Sequence, residues 1–151
     1  MKISTRGRYA LRVLIDLAEH VSDEFTPMKA VAERQGISLK YLEQIIPVLT
    51  KNHFVKGVHG KGGGYHLTRD PALISVGEVL RLTEGDLSPV ACLDCTNGSC
   101  NCERQSICRT LPMWQELNRI VNNYLNNVTI VQLMANHPDR SRFCLNDDSC
   151  L

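Results

Sequence analysis

No stretch of the 151-residue sequence is apolar for more than a few residues, so no segment reads as a bilayer span. No long polar or single-sign tract is present either. With 43% apolar and 22% charged residues, full disorder is excluded and one compact domain with a real core is expected. No secretory leader is expected either. Leu11 to Leu17 has the length of a signal core, but Arg12 and Asp16 interrupt it and no small-residue cleavage site follows, so a cytoplasmic protein is expected. Net charge is only +1, which by itself points to no partner.

Divided along the chain, the charge is uneven. Residues 1–70 hold eleven Lys/Arg against seven Asp/Glu, and residues 71–151 hold six against nine. Within 29–69 the count is seven against two. A basic patch is the usual footprint of a polyanion partner, though a solvated helix face gives the same count. Cysteine is the other excess. Five of the seven lie between Cys92 and Cys108. An odd number without an export signal argues against a disulfide framework and toward metal or redox chemistry.

The periodicity predicts a mainly α chain. Ser4 or Thr5 caps a first helix to about His20, with Tyr9, Ala10, Val13, Leu14, Leu17 and Ala18 on one face. Thr26 caps a short second helix with Pro27 at its first position, and Gly36 ends it. Ser38 caps a third helix from Leu39 to about Asn52, with Leu42, Ile45, Ile46 and Leu49 inward and Lys40, Glu43, Gln44 and Lys51 outward. Pro47 costs about 3 kcal/mol inside a helix, which predicts a kink or an early end near Ile46. Phe54–Val58 and Tyr65–Leu67 flank a glycine-rich connection and read as a β-hairpin. The Gly60-Lys61-Gly62-Gly63-Gly64 run is no phosphate-binding loop, because no Ser/Thr follows the lysine and no helix opens after it.

A capping box, Ser75 to Glu78, starts a fourth helix that ends at Gly85. A Cys-rich loop follows, then a long helix from near Pro112 with Trp114, Leu117, Val121, Tyr124 and Val128 spaced as a coiled-coil seam. Such a seam packs either on its own domain or on a second copy. Thr129 to Ala135 reads as a last short helix. The expected division is therefore a DNA-binding unit over 1–85, a cysteine loop over 86–110, dimerisation helices over 111–135 and a polar tail over 136–151.

Three helices followed by a basic hairpin is the order of a winged helix-turn-helix, whose third helix enters the major groove. Gln44 suits adenine, Glu43 suits the cytosine amino group, and Ser38 and Lys40 reach bases or phosphates. With Tyr41 they form the expected reading set, and His59 and Lys61 project from the hairpin tip toward a minor groove or the backbone. A dimer would place two reading helices about 34 Å apart on a near-palindromic site.

Spacing alone leaves the cysteine loop open. Zinc wants two close pairs, which Cys92/Cys95 and Cys100/Cys102 could supply, although the single-residue gap in the second is tight. An iron–sulfur cluster takes four more widely separated ligands. Spacing leans to zinc. A thiol oxidoreductase built on Cys92-Leu93-Asp94-Cys95 would need a βαβ unit, and none is apparent, so no enzyme and no small-molecule substrate are expected.

Arg34-Gln35-Gly36-Ile37-Ser38-Leu39-Lys40-Tyr41-Leu42-Glu43-Gln44, the Gly60–Tyr65 run, the opening Met1–Ala10, Glu84-Gly85 and the step from Cys108 to Trp114 together resemble the IscR/NsrR/CymR family of bacterial regulators over about residues 1–135. The resemblance implies a dimeric winged-helix transcription factor, expected to be a repressor, whose members sense iron–sulfur status, nitric oxide or cysteine supply. It implies three cluster ligands, Cys92, Cys102 and Cys108, and reverses the lean from zinc to an iron–sulfur cluster, with zinc or a thiol switch as the alternatives; the sequence does not decide the cluster type, and 2Fe–2S is favoured over 4Fe–4S. Relatives take a fourth ligand from a histidine three residues after the last cysteine, here Leu111, or from the first helix, here Arg8 and Arg12. None of these can ligate, so the fourth ligand stays open, with Cys95 and Cys100 as candidates that read equally as spare thiols. His59 and Pro47 also depart from the family pattern in the reading head. Cys144 and Cys150 read as reduced thiols in the tail, and His20, His53, His66 and His137 as surface residues.

Overall fold

The computed structural model describes residues 2–21, 25–60, 62–93 and 102–135. Six helices and one hairpin occur among them, in the order α1 (Thr5–Glu19), α2 (Met28–Gln35), α3 (Leu39–Lys51), β1 (Val55–Val58), β2 (Gly64–Leu67), α4 (Val76–Glu84), α5 (Leu111–Asn127) and α6 (Ile130–Ala135). Ser4, Ser38 and Ser75 cap α1, α3 and α4, each accepting a hydrogen bond from the backbone N–H three residues on. Gly36 ends α2 in the left-handed region, at φ +60°.

Two local expectations give way to longer-range forces. The α2 cap is Pro27 and not Thr26. Thr26 instead pairs its backbone with Tyr65 of β2 in both directions, at 3.0 and 2.8 Å, and so extends the two-stranded sheet. Gly64 permits this approach, because a Cβ there would strike the Thr26 and Pro27 backbone. The early end near Ile46 does not occur: α3 runs through Pro47 to Lys51. Leu42, Ile45, Ile46 and Leu49 are all buried on its inner face. Burying each contributes about 1.5–3 kcal/mol, together more than the roughly 3 kcal/mol that the proline costs.

The core forms around α1, whose Val13, Leu14 and Leu17 meet Leu42, Ile45 and Leu49 of α3, Ile74 and Ile130. α6 is part of this core. The chain leaving α5 pairs with the start of α4 (Val76 N–H to Val128 O, 2.8 Å; Ile130 N–H to Ile74 O, 3.0 Å), which delivers fully buried Ile130 beneath α1. A smaller cluster of Val76, Leu80 and Leu87 takes Ile3, Leu125 and Val128.

The segments at opposite ends of the winged unit lock together. Ser4 Oγ donates to Glu84 Oε1 at 2.7 Å and the Ser4 N–H to Oε2 at 3.3 Å. Gly7 lets α1 and α4 come this close, since a Cβ would collide with the Glu84 carboxylate and lie 3.0 Å from Thr83 Oγ1. No helix among the described residues is long and apolar enough to cross a membrane.

Candidate nucleic-acid interface

α3 is sharply two-sided. Its inner face is sealed in the core, while Ser38, Lys40, Glu43 and Gln44 are exposed together on the outer one. The Ser38 hydroxyl is already engaged as the cap, accepting from Tyr41 N–H at 3.3 Å. Tyr41 stands apart from this set. Its half-buried ring meets Tyr9 of α1 edge-on at 5.3 Å, so it packs the helix in place more than it offers itself to a ligand. His59 is exposed at the hairpin tip, and Lys61 lies outside the described residues. Between α3, the start of α2 and the hairpin runs a groove of about 480 Å³, with Lys29, Leu39, Glu43, Pro47, Val58 and His59 among its lining.

A polar clasp that sequence reasoning missed ties α1 to the end of α2, just before the turn into α3. Asp16 is fully buried in α1 and takes a bidentate pair from Arg34 of α2 (Nε to Oδ1 3.0 Å, Nη2 to Oδ2 2.6 Å). Gln35 Nε2 donates to Asp16 Oδ1 at 2.9 Å. Arg12 Nε in turn donates to Gln35 Oε1 at 3.1 Å, Arg12 also holds the Gln35 carbonyl, and its guanidinium lies 5.3 Å from the Tyr9 ring. Burial alone would raise the Asp16 pKa. The hydrogen bonds from Arg34 and Gln35 and the charges of Arg34 and His20 hold it below the ordinary carboxylate value instead. The signal was present: Asp16 lies three residues from Val13 on the apolar face, so a charge there needs a partner.

Cys92 sits in a single 3₁₀ turn, Ala91–Leu93, while Cys102 and Cys108 bracket another, Gln105–Ile107. All three thiols are free and half-buried. The Cys108 thiol is pulled below its usual pKa by hydrogen bonding to Thr110, whose Oγ1 is 3.4 Å away, with help from the Leu111 N–H and Arg104. Thiolate is the form that ligates metals. Among the described residues no three Cys, His, Asp or Glu side chains gather closely enough to hold an ion. Cys95 and Cys100 lie outside those residues, as do Cys144 and Cys150. Of the arginines at the alternative positions, Arg12 is committed to Gln35 and Arg8 Nη2 donates to Thr5 Oγ1 at 3.1 Å.

A family model, Rrf2, described as an iron-dependent transcriptional regulator, matches residues 3–136. The chain belongs to the Rrf2 family. It is a transcriptional regulator of the IscR type within that family, being 37% identical over 136 residues to the HTH-type transcriptional regulator IscR of Yersinia pseudotuberculosis, across 90% of this chain and 80% of the relative. Among solved structures it is similar to CymR, the global cysteine regulator of B. subtilis, with TM-score 0.74 and 32% identity over 89% of this chain and 97% of that one. It is also similar to T. potens IscR, with TM-score 0.69 and 33% identity over 89% and 87%. The winged-helix arrangement of α1–α3 and the hairpin is thus that of Rrf2 regulators.

Proposed function

We propose that this Rrf2 protein binds a near-palindromic double-stranded operator as a homodimer and represses iron–sulfur assembly or related stress genes. The observation that carries this is the outer face of α3, which sets Lys40, Glu43 and Gln44 in solvent beside the hairpin tip while the other face is anchored in the core. Phosphates would be held by the lysines around that face and bases read by Glu43 and Gln44. Replacing Gln44 by Ala is expected to relax base preference at one position of each half-site, at a cost of about 1–3 kcal/mol. Equal loss on specific and random duplexes, measured by fluorescence anisotropy, would sink the assignment of α3.

The dimer would form through α5. Of the seam residues, Trp114, Val121 and Val128 are half-buried, whereas Leu117 and Tyr124 stay exposed. Met113 and Ile120 join these two in an apolar stripe at helical spacing.

The donor set suits an iron–sulfur cluster in kind, being soft thiols of which one is shifted toward thiolate, with no pre-assembled cage among the described residues. Cys92, Cys102 and Cys108 would hold it, with Cys95 or Cys100 as fourth ligand, and 2Fe–2S is the favoured form. When bound, the cluster would supply a group that is gained and lost with iron–sulfur supply. The residues that can relay this are on the loop from Asp86 to Cys108, which joins α4 to α5. The Cys108 carbonyl accepts from Leu111 N–H at 3.4 Å, and Arg81 Nη1 donates to Asn122 Oδ1 at 2.9 Å, tying α5 to α4. Anaerobic purification with a visible spectrum and iron, sulfide and zinc counts tests the site. Matching iron and sulfide supports the sensor; one zinc in a colourless protein replaces it with a structural staple. Equal operator affinity before and after metal removal would rule out coupling.

A further inference from the structure

We propose that α3 reads the 5-methyl groups of thymine through Leu39 and Pro47, which flank Glu43 on the side of the helix that faces the hairpin. The inference rests on the DNA-reading role of α3 given above and adds the chemistry of the bases it selects. Leu39, Glu43 and Pro47 are four residues apart, so they form one strip on successive turns, and all three line the groove toward Val58 and His59. Leu39 is 43% exposed and Val58, across the groove, 45% exposed, while Pro47 is also in solvent. Large apolar groups left in water at the centre of a reading face call for an apolar occupant.

Charge decides which part of a duplex that occupant is. The Glu43 carboxylate lies between the two apolar residues and repels phosphate, so this strip faces base edges and not the backbone. Basic residues border the strip: Lys29 lines the same groove, Lys40 lies on the neighbouring strip of α3, and exposed Lys51 continues the strip one turn beyond Pro47, placed for the flanking backbone. The only apolar group that B-DNA displays in the major groove is the thymine methyl, and the complement of Glu43 is the cytosine amino group. Four residues of helix rise about 6 Å and successive bases about 3.4 Å, so thymines fall within about two base steps on either side of the base that Glu43 reads. Pro47 has a second consequence. It has no N–H to offer the Glu43 carbonyl, so the helix presents a rigid ring at a position where any other residue would close the ladder.

Deoxyuridine isolates the methyl, because it keeps thymine's hydrogen-bonding edge and lacks only that group. Full-length protein would first select a preferred site from a random duplex library, and each thymine of that site would then be replaced by deoxyuridine in synthetic duplexes. We expect thymines within two steps of the Glu43 base to lose about fourfold in affinity per methyl removed. The Leu39→Ala variant should be indifferent to the uracil on one side and Pro47→Ala to that on the other, with thermal midpoints confirming that both fold. A selected site that tolerates uracil throughout, or that has no thymine in reach, overturns this inference alone. A library that shows no enrichment overturns it together with the DNA-reading role.

Discussion

Replacing Ile120 by Glu should convert the protein to a monomer and lower its affinity for a two-half-site duplex by about 10²- to 10⁴-fold, the size of the avidity that a second linked contact supplies. Ile120 is 50% exposed on α5, and Met113, Leu117 and Tyr124 extend the same stripe at 52%, 39% and 45%. Four large apolar residues in a row on one helix face are more than a monomer normally leaves in water. The opposite face of α5 is already occupied, because Leu125 and Val128 pack on Val76 and Leu80 of α4. A charge at position 120 therefore strikes the stripe without touching the core, and the thermal midpoint should fall only by what assembly contributed and lose its dependence on protein concentration. Sedimentation velocity reads the assembly, while titration of full and half operators separates lost avidity from lost recognition. Affinity for a single half-site should be unchanged. A variant that remains dimeric, or a dimer lost with no change in full-site affinity, would refute the role given to α5.

The helix caps were legible because capping is local. Ser4, Ser38 and Ser75 needed only the side chain and the N–H three residues on, and Gly36 and Gly85 only a backbone free to leave the helix. Thr26 obeyed the same local rule and still failed it. Its backbone was drawn to Tyr65, thirty-nine residues away, a pairing that no window of sequence contains. The early end at Pro47 failed in the other direction, since a single-residue penalty was weighed without the four aliphatic side chains that α3 buries. The exposure of Lys40, Glu43 and Gln44 was readable for the reason that the core was: one period of 3.6 divides both faces. Tyr41 shows where that division blurs, at a helix edge where an aromatic ring is claimed by Tyr9 of another helix. The cysteine assignments are the least structural of all. Spacing names donors but does not bring them together, and Cys92, Cys102 and Cys108 remain three separate thiols on their turns.

Breaking the clasp at Asp16 from one side should cost the fold heavily, because it strands a buried charge, and Arg34→Ala is its test. Asp16 is fully buried, so removing its bidentate partner leaves a buried carboxylate with only the Gln35 amide and the His20 ring beside it, the latter's Nδ1 at 4.0 Å. Breaking a buried pair from one side costs about 3–5 kcal/mol, and Arg34 is 33% exposed, which places this case at about 3. At roughly 2–4 °C per kcal/mol for a chain of this size, the thermal midpoint should fall by about 6–12 °C. Acid should then reveal the same pair. The folded-state pKa of Asp16 lies below its ordinary value of 3.8, so the contribution is present in full above the unfolded pKa and is lost as pH falls through the folded one. The wild-type protein should lose stability steeply below about pH 4, and Arg34→Ala should lose less over the same range because it has little of this term left. Denaturant midpoints for both proteins at neutral pH and at successive steps below pH 4 measure the difference. Parallel curves would show that Arg34 does not hold the Asp16 charge. Since Arg34 and Gln35 close the turn that launches α3, operator affinity measured well below the melting temperature should also fall in Arg34→Ala, which separates a clasp that aims the reading helix from one that only steadies the fold.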